Sequence, residues 1–155
     1  MTPADLDAVV RIEQLGFTPE EAGTREAYRE RIQKLASTFL VAKVGGQVVG
    51  FVVGPAVNEQ YVTDDMYVHT PDNLPTGGNQ LVLSIATDPD YRGHGIGSQL
   101  LTALAKEAKA AHRHSISLDS LDRNVPFYEH NGYRKVRVSD SSHAHERWYS
   151  LVKSL

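Results

Sequence analysis

Three glycines at alternate positions form the most distinctive local pattern in the sequence. Gly93, Gly95 and Gly97 occur in the stretch DYRGHGIGSQLL, directly before a segment with helical periodicity. Glycine lets the backbone approach a ligand closely, and the first turn of a helix carries N–H groups without intrahelical partners. An anion such as a pyrophosphate suits such a turn. The pattern predicts a phosphate-binding turn, with an ordinary strand-to-helix turn as the alternative.

The spacing of these glycines separates the known phosphate-binding motifs. A P-loop requires a lysine before its Ser or Thr, and Ser98 follows Gly97 directly. The dinucleotide fingerprint is G-x-G-x-x-G, whereas this stretch reads G-x-G-x-G. Asp119 follows at roughly the 20-residue distance of a ribose-binding acid, so a nicotinamide-dependent reductase stays as an alternative. The glycines come too late in the chain to leave room for the remaining βα units of that fold.

The composition is that of one globular domain over residues 1–155. The chain is 41% hydrophobic and 23% charged, with a net charge of −3 that offers no basic surface for nucleic acid or an acidic membrane. It contains no cysteine, which excludes disulfides, thiolate metal sites and an acyl-cysteine intermediate. No segment has the pattern of a signal peptide or a membrane span. We therefore expect a cytoplasmic protein that acts on small molecules.

The elements that would position the glycine stretch alternate between helices and strands. Thr-Pro pairs at 2–3 and 18–19 are typical of helix starts, and TREAYRERIQKLA has helical periodicity, so two helices come first. TFLVAKV and QVVGFVVG around Gly45 predict a β-hairpin. The remaining expected elements are a possible strand within 58–78, a strand in QLVLSIATD, a helix over 98–112, a strand in SISLDS, a short helix before Gly132 and two final strands. This order predicts an α/β fold whose mixed sheet starts antiparallel and becomes parallel around the 98–112 helix.

The stretches LSIATDPDYRGHGIGSQLL and NVPFYEHNGY resemble the GNAT superfamily of N-acetyltransferases. Arg92, Gly95 and Gly97 match the Gln/Arg-x-x-Gly-x-Gly/Ala pattern of its acetyl-CoA arm, and the resemblance extends from about residue 38 onward. VPFYEHNGY and MYVHTPDNLPTGG are more closely similar to the arylalkylamine (serotonin) N-acetyltransferase branch. The resemblance implies the GNAT fold, a mostly antiparallel sheet that is splayed around acetyl-CoA and flanked by helices.

The resemblance also implies which residues hold acetyl-CoA. The strand over 83–87 would bind the pantetheine arm through its backbone, and the glycine turn would bind the pyrophosphate. The expected cofactor-binding residues are Leu83, Ser84, Ile85, Ala86, Thr87, Arg92, Gly93, His94, Gly95, Ile96, Gly97, Ser98 and Asn124. No metal is expected, because the His112/His114 and His143/His145 pairs each lack a visible third ligand.

Direct acetyl transfer requires two proton transfers. The departing thiolate needs a proton, and Tyr128 matches the tyrosine that serves as the acid in the family; the alternative is a tyrosine of the core. An alkylamine with a pKa of about 10.4 must lose a proton before it attacks the thioester. The vertebrate arylalkylamine enzymes carry two histidines on the strand before the arm, and those positions are Leu81 and Leu83 here. The base is therefore expected to be His69 or water held by backbone carbonyls.

The sequence thus predicts an N-acetyltransferase that moves acetyl from acetyl-CoA to a small primary amine, with arylalkylamines or polyamines favoured. Acidic residues within one predicted loop could attract a cationic amine, although such clusters are often only solvated: Glu59, Asp64, Asp65 and Asp72. The competing hypothesis is a non-catalytic acetyl-CoA-binding or interaction module on the same fold. A monomer or a homodimer fits the sequence equally well.

Overall fold

The computed structural model describes residues 2–155 as five α-helices and eight β-strands. The helices are α1 (Leu6–Gly16), α2 (Arg25–Lys34), α3 (Asp65–Val68), α4 (Ile96–Ala110) and α5 (Val125–His130). The strands are β1 (Phe39–Val44), β2 (Gln47–Val53), β3 (Ala56–Val57), β4 (Asn79–Val82), β5 (Ser84–Thr87), β6 (Ser115–Ser120), β7 (Arg134–Val138) and β8 (Tyr149–Ser154).

The strands form two sheets. β1, β2 and β5 make an antiparallel three-stranded sheet, and the second sheet has the order β3-β4-β6-β8-β7. Among the strands of residues 2–155, only β4 and β6 pair in parallel, and α4 connects the two sheets between them in the chain. The predicted mixed sheet, antiparallel first and parallel around α4, is confirmed.

The two sheets separate at a single residue, Leu83. β4 pairs with β6 in the second sheet, whereas β5 pairs with β2 in the first, and the Leu83 N–H donates to the Val53 carbonyl at 2.8 Å. A Cβ on Gly54 would lie 1.8 Å from the Leu81 carbonyl oxygen, so only glycine permits this close passage of the two backbones. The stretch QLVLSIATD was predicted as one strand, and that prediction is wrong, because an apolar run does not show where its pairing partner changes.

Apolar clusters pack on both faces of the first sheet. The stripe of α1 that includes Val9 and Ile12 is buried with Tyr28 of α2, whose ring meets Phe51 edge to face at 5.6 Å between centroids. On the other side, α4 buries an apolar stripe that includes Leu104. Burying a large aliphatic side chain contributes about 1.5–3 kcal/mol, so these stripes hold α1 and α4 against the first sheet.

Other boundaries differ from the sequence expectations. Residues 18–19 form a turn in which the Thr18 N–H donates to the Glu21 carboxylate, and α2 begins later, after Thr24, whose hydroxyl accepts from the Ala27 N–H at 3.1 Å. The segment 58–78 contains the short helix α3 instead of a strand, because loop contacts rather than strand pairing satisfy its polar groups. Within residues 2–155, every helix is too short or too polar to span a bilayer.

Candidate active site

A single cavity of about 720 Å³ opens where the two sheets separate. It extends from the turn before α4, between β5 and β6, to the loop that joins α1 to α2 and the loop that joins β7 to β8. The separation of the sheets at Leu83 creates this space because β5 is hydrogen-bonded to β2 and not to β6. One cavity thus connects the predicted phosphate-binding turn with a second, more acidic end.

The turn before α4 presents unpaired backbone N–H groups. Gly93 and Gly95 have φ values of +82° and +76°, and neither has a protein atom within 4 Å of the place where a Cβ would lie. The first N–H with a partner after this turn is that of Gln99, which donates to the Gly95 carbonyl at 3.0 Å. Within residues 2–155, no acceptor pairs with the N–H groups of 93–98. Such a fan of donors at a helix N-terminus suits a pyrophosphate, and the Arg92 side chain lines the same end of the cavity.

The free edge of β5 provides further backbone groups. The Asp88 N–H donates to the Val49 carbonyl at 2.7 Å. In an antiparallel pair every second residue is hydrogen-bonded to the neighbouring strand, so Ala86, two residues earlier, is bonded to β2 as well. Ile85 and Thr87 occupy the intervening positions, and their N–H and C=O groups therefore point away from β2, toward the cavity. An extended ligand that carries amides, as pantetheine does, could hydrogen-bond along this edge.

Most residues that were predicted to hold acetyl-CoA line this cavity. The exception is His94, which is exposed and lies outside it. The lining residues of that set are Leu83, Ser84, Ile85, Ala86, Thr87, Arg92, Gly93, Gly95, Ile96, Gly97, Ser98 and Asn124. The structure therefore gathers the β5 edge, the glycine turn and Asn124 around one space.

Tyr128 lies on α5 with its side chain lining the cavity. Its ring packs edge to face against Phe127 and Tyr133, with centroids 5.1 and 6.0 Å away. Burial raises the pKa of the Tyr128 phenol above its ordinary value, so the group keeps its proton at neutral pH. A protonated phenol that lines a cavity has the form of a general acid.

The structure separates the candidate bases from the site. His69 is exposed at the end of α3 and does not line the cavity, so its prediction as the base finds no geometric support. Leu81 is fully buried in a cluster with Met66, while Leu83 lines the cavity with an apolar side chain. The acidic loop residues also lie outside the cavity: Glu59, Asp64, Asp65 and Asp72. Within residues 2–155, no three His, Cys, Asp or Glu side chains are close enough to hold a metal ion.

Carboxylates from other segments line the end of the cavity away from the glycine turn. Glu13 of α1 accepts hydrogen bonds from the Ser84 hydroxyl and the Gly23 N–H, both at 2.7 Å. Asp119 of β6 accepts from the hydroxyls of Ser139 and Ser150 at 2.7 and 3.2 Å. Burial raises the pKa of the Asp119 carboxyl, and these hydroxyl bonds act in the opposite direction.

Aromatic side chains surround the same end. The Tyr67 ring stacks on the His143 ring with centroids 5.0 Å apart, and the Trp148 ring is tilted against His143 with centroids 5.9 Å apart. The indole N–H of Trp148 donates to the His143 carbonyl at 2.9 Å, which fixes the ring. All three side chains line the cavity. We call the part of the cavity lined by Glu13, Tyr67, Asp119, His143 and Trp148 the acidic chamber.

Two loops meet across the acidic chamber. The His143 Nε2 lies 3.0 Å from the Glu21 carbonyl oxygen, which joins the β7–β8 loop to the α1–α2 loop. The Arg123 guanidinium lies 3.8 Å from the Glu21 carboxylate. Glu21, Arg123 and His143 all line the cavity, so this contact joins two loops that border the acidic chamber.

Sequence reasoning missed most of the acidic chamber. Its residues come from α1, α3, β6 and the β7–β8 loop, and no local spacing connects segments so far apart. Asp119 was noticed only for its distance from the glycines, as part of the reductase alternative. The one available signal was its occurrence within SISLDS, since a carboxylate in an otherwise apolar and small-residue strand needs a buried partner or a ligand.

Comparison with known proteins gives a consistent family. The chain is 28% identical over 138 residues to an N-alpha-acetyltransferase of Sulfurisphaera tokodaii, covering 86% of this chain and 77% of that protein. It is 35% identical over 67 residues to a glucosamine 6-phosphate N-acetyltransferase of Trypanosoma brucei brucei, which covers 43% of this chain and only 40% of the relative. The structure of the GphF GNAT-like decarboxylase in complex with isobutyryl-CoA superimposes with a TM-score of 0.85 at 16% identity, covering 99% of this chain and 96% of the other.

That structural likeness concerns the fold alone, because the identity is low. Residues 6–133 match the Acetyltransferase (GNAT) family, which is more than half of the chain. The match includes α1, the glycine turn and Tyr128. The chain therefore belongs to the GNAT family of acetyltransferases.

Proposed function

We propose that this protein transfers the acetyl group of acetyl-CoA to the primary amine of a small molecule, by direct attack within a ternary complex. The observation that carries the proposal is the single cavity, which has free backbone donors at one end and carboxylates with aromatic rings at the other. Such a cavity can hold an anionic, amide-bearing acyl donor and a cationic acceptor at the same time. A single domain over 1–155, acting as a monomer or a homodimer, is part of the proposal.

Acetyl-CoA would bind along the first part of the cavity. Its pyrophosphate suits the unpaired N–H groups of 93–98 and the Arg92 guanidinium, and its pantetheine amides suit the free edge at Ile85 and Thr87. Within the described residues 2–155 neither set of backbone groups has a protein partner, so binding would satisfy them at little structural cost. No metal takes part in the proposed reaction.

Tyr128 is the proposed acid. When the amine nitrogen attacks the thioester carbon, the C–S bond breaks and the thiolate requires a proton. The raised pKa of the Tyr128 phenol keeps that proton available at neutral pH. The ring contacts with Phe127 and Tyr133 hold the phenol in position during the transfer.

The acceptor would occupy the acidic chamber. An ammonium group is attracted by carboxylates and by the faces of aromatic rings, and Tyr67, His143 and Trp148 supply such rings. An arylalkylamine adds a flat ring that can pack there, and a slender polyamine also suits the space. The contact between Glu21 and His143 joins the two loops that border the chamber, which favours a small acceptor over a folded protein.

A peptide α-amine is the second candidate acceptor. The similarity to an N-alpha-acetyltransferase over most of the chain favours it. A peptide would have to extend between the α1–α2 and β7–β8 loops, which the contact at His143 opposes in this conformation. The glucosamine 6-phosphate acetyltransferase relative adds an amino sugar phosphate to the compounds that need testing.

Thiol release from acetyl-CoA tests the proposal. The acceptors are tryptamine, phenylethylamine, spermidine, glucosamine 6-phosphate and a short peptide with a free N-terminus, with the N-acetylated peptide as its matched control. We expect kcat/KM for the best of the first three amines to exceed that for the free peptide by at least about 10-fold, a difference of about 1.4 kcal/mol in transition-state stabilisation. A peptide preference would overturn the acceptor class. Tight acetyl-CoA binding with no thiol release for any acceptor would support the non-catalytic module instead.

A further inference from the structure

Asp119 is a partly buried carboxylate that lines the acidic chamber without a cationic partner. Its two oxygens accept hydrogen bonds from Ser139 and Ser150, and it belongs to none of the ion pairs within residues 2–155. Removing a carboxylate from water is costly unless a positive charge or several donors compensate it. Two neutral hydroxyls compensate only part of this cost, so the site is suited to a cation that arrives with the substrate.

The other acidic side chains of the cavity are engaged differently. Glu13 is almost fully buried, and both of its oxygens accept bonds from Ser84 and Gly23, which fixes it as part of the wall. Glu21 has the Arg123 guanidinium 3.8 Å from its carboxylate. Asp119 differs from both in accessibility, because it is partly exposed whereas Glu13 and Glu21 are buried, and no cation of residues 2–155 lies within ion-pair distance of its carboxylate.

We propose that the Asp119 carboxylate binds the ammonium group of the acceptor and accepts the proton that activates the nitrogen for attack. The proposal rests on the acetyl transfer proposed above and assigns the base that sequence reasoning left open between His69 and water. It explains why Leu81 and Leu83 can occupy the positions where a histidine pair was sought. The base comes from β6, on the opposite wall of the cleft from β5.

The proton balance is complete with the groups present. The ammonium nitrogen gives one proton to Asp119, and its lone pair then forms the C–N bond while the thioester C–S bond breaks. Tyr128 gives its phenolic proton to the departing sulfur, and a second proton from the nitrogen restores the phenol through water. The third proton stays on the amide product, and Asp119 releases its proton to solvent before the next cycle.

The titratable groups that face Asp119 are Arg137, Asp64 and Tyr67. Arg137 of β7 favours the ionised carboxylate, but its guanidinium is stacked over the Tyr61 ring at 4.0 Å and paired with Asp140 at 3.3 Å. Asp64, before α3, disfavours ionisation by its like charge. Tyr67 of α3 has a raised pKa, caused by burial and then by the Asp119 charge, so it remains neutral. Burial is the largest influence and raises the pKa of Asp119, which moves the group toward the range useful for a base.

The test compares Asp119→Asn with Asp122→Asn, the same substitution at an exposed position outside the cavity. Both proteins and the wild type are assayed for thiol release with tryptamine between acid and neutral pH, and acetyl-CoA affinity is measured by calorimetry. Asp119→Asn should lower kcat/KM by about 10²-fold or more, the usual contribution of a general base, without changing the Kd for acetyl-CoA. It should also remove the acid limb along which kcat/KM rises with pH. Asp122→Asn should behave as the wild type in each measurement.

Ser139→Ala distinguishes a chemical role of Asp119 from a structural one. Asp119 also anchors the β7–β8 loop through the Ser139 hydroxyl, so loss of activity alone would be ambiguous. Because the bond from Ser139 lowers the Asp119 pKa, removing it should shift the acid limb to higher pH while activity survives on the alkaline side. An anchor without chemistry would change the rate at all pH values and leave the limb in place.

The outcomes separate this inference from the proposed function. If the wild type acetylates tryptamine and Asp119→Asn stays within about threefold of it, or keeps the acid limb, the role of Asp119 is refuted and the acetyl transfer stands. If the wild type binds acetyl-CoA but acetylates neither tryptamine nor the other amines of the panel, both are refuted.

Discussion

Replacing Gly95 by alanine tests the phosphate-binding turn most directly. At φ +76° an alanine is strained by about 1–2 kcal/mol, and the substitution causes no clash because nothing lies within 4 Å of the new methyl group. If the turn relaxes to relieve this strain, the N–H groups of 93–98 no longer converge, and acetyl-CoA must restore them on binding. A cost of 1–2 kcal/mol corresponds to about a 5–30-fold loss of affinity.

Gly45→Ala provides the matched control. Gly45 has φ +57° in the β1–β2 turn, also with nothing within 4 Å, and lies outside the cavity. Gly45→Ala should lower the melting temperature by about 2–4 °C for each kcal/mol of strain that it retains, and Gly95→Ala should lower it by no more than that, because its turn relaxes. Calorimetry should show a weaker Kd for acetyl-CoA in Gly95→Ala alone. Equal affinities in the two variants would refute the assignment of this turn to the pyrophosphate.

Three further predictions concern the acid Tyr128, the exposed His69 and the support of the glycine turn by Asp88. Tyr128→Phe should lower kcat by about 10²-fold with little change in the KM for acetyl-CoA. His69→Ala alters an exposed residue outside the cavity, so it should leave kcat, the KM for acetyl-CoA and the pH profile unchanged. Asp88→Ala should cost about 0.5–2 kcal/mol at pH 7 in urea unfolding, because Asp88 caps the turn at Asp90 N–H and pairs with Arg11 at 3.0 Å. Those contacts lower the pKa of Asp88 in the folded protein. Its contribution to the free energy of unfolding is therefore present above the unfolded-state pKa of about 3.9 and is lost as pH falls through the lower folded-state pKa. The difference in unfolding free energy between wild type and Asp88→Ala should close at strongly acid pH.

Local sequence patterns determine two elements of the structure, the β1–β2 hairpin and the glycine turn before α4. Gly45 and the residue after it require positive φ, and the flanking apolar runs leave the β1–β2 hairpin as the natural pairing. The glycine turn is equally local, since Gly93, Gly95 and the apolar spacing of α4 lie within one short stretch. These features could be predicted because their causes are within a few residues of one another.

The acidic chamber could not be predicted in this way. Glu13 and Asp119 are far apart in the chain, and they share the cavity only because the sheets separate at Leu83. That separation depends on the close passage of Gly54 beside Leu81, which is a tertiary contact and leaves no periodic signal. His69 was one of two candidates for the base, beside water held by backbone carbonyls, and the structure places it at the exposed end of α3.

The position of β8 within the second sheet affects how the protein folds during synthesis. β8 lies between β6 and β7, although it is the last of these strands to be made, and β7 pairs with no other strand within residues 2–155. A nascent chain that ends before residues 149–154 therefore exposes the edge of β6 and has no partner strand for β7. At that stage α1, α2 and the β1–β2 hairpin can already pack together. Unpaired edges attract other chains, so this interval is when the nascent protein is most prone to aggregate. A truncation that removes residues 149–154 should leave the β6 edge and β7 permanently unpaired.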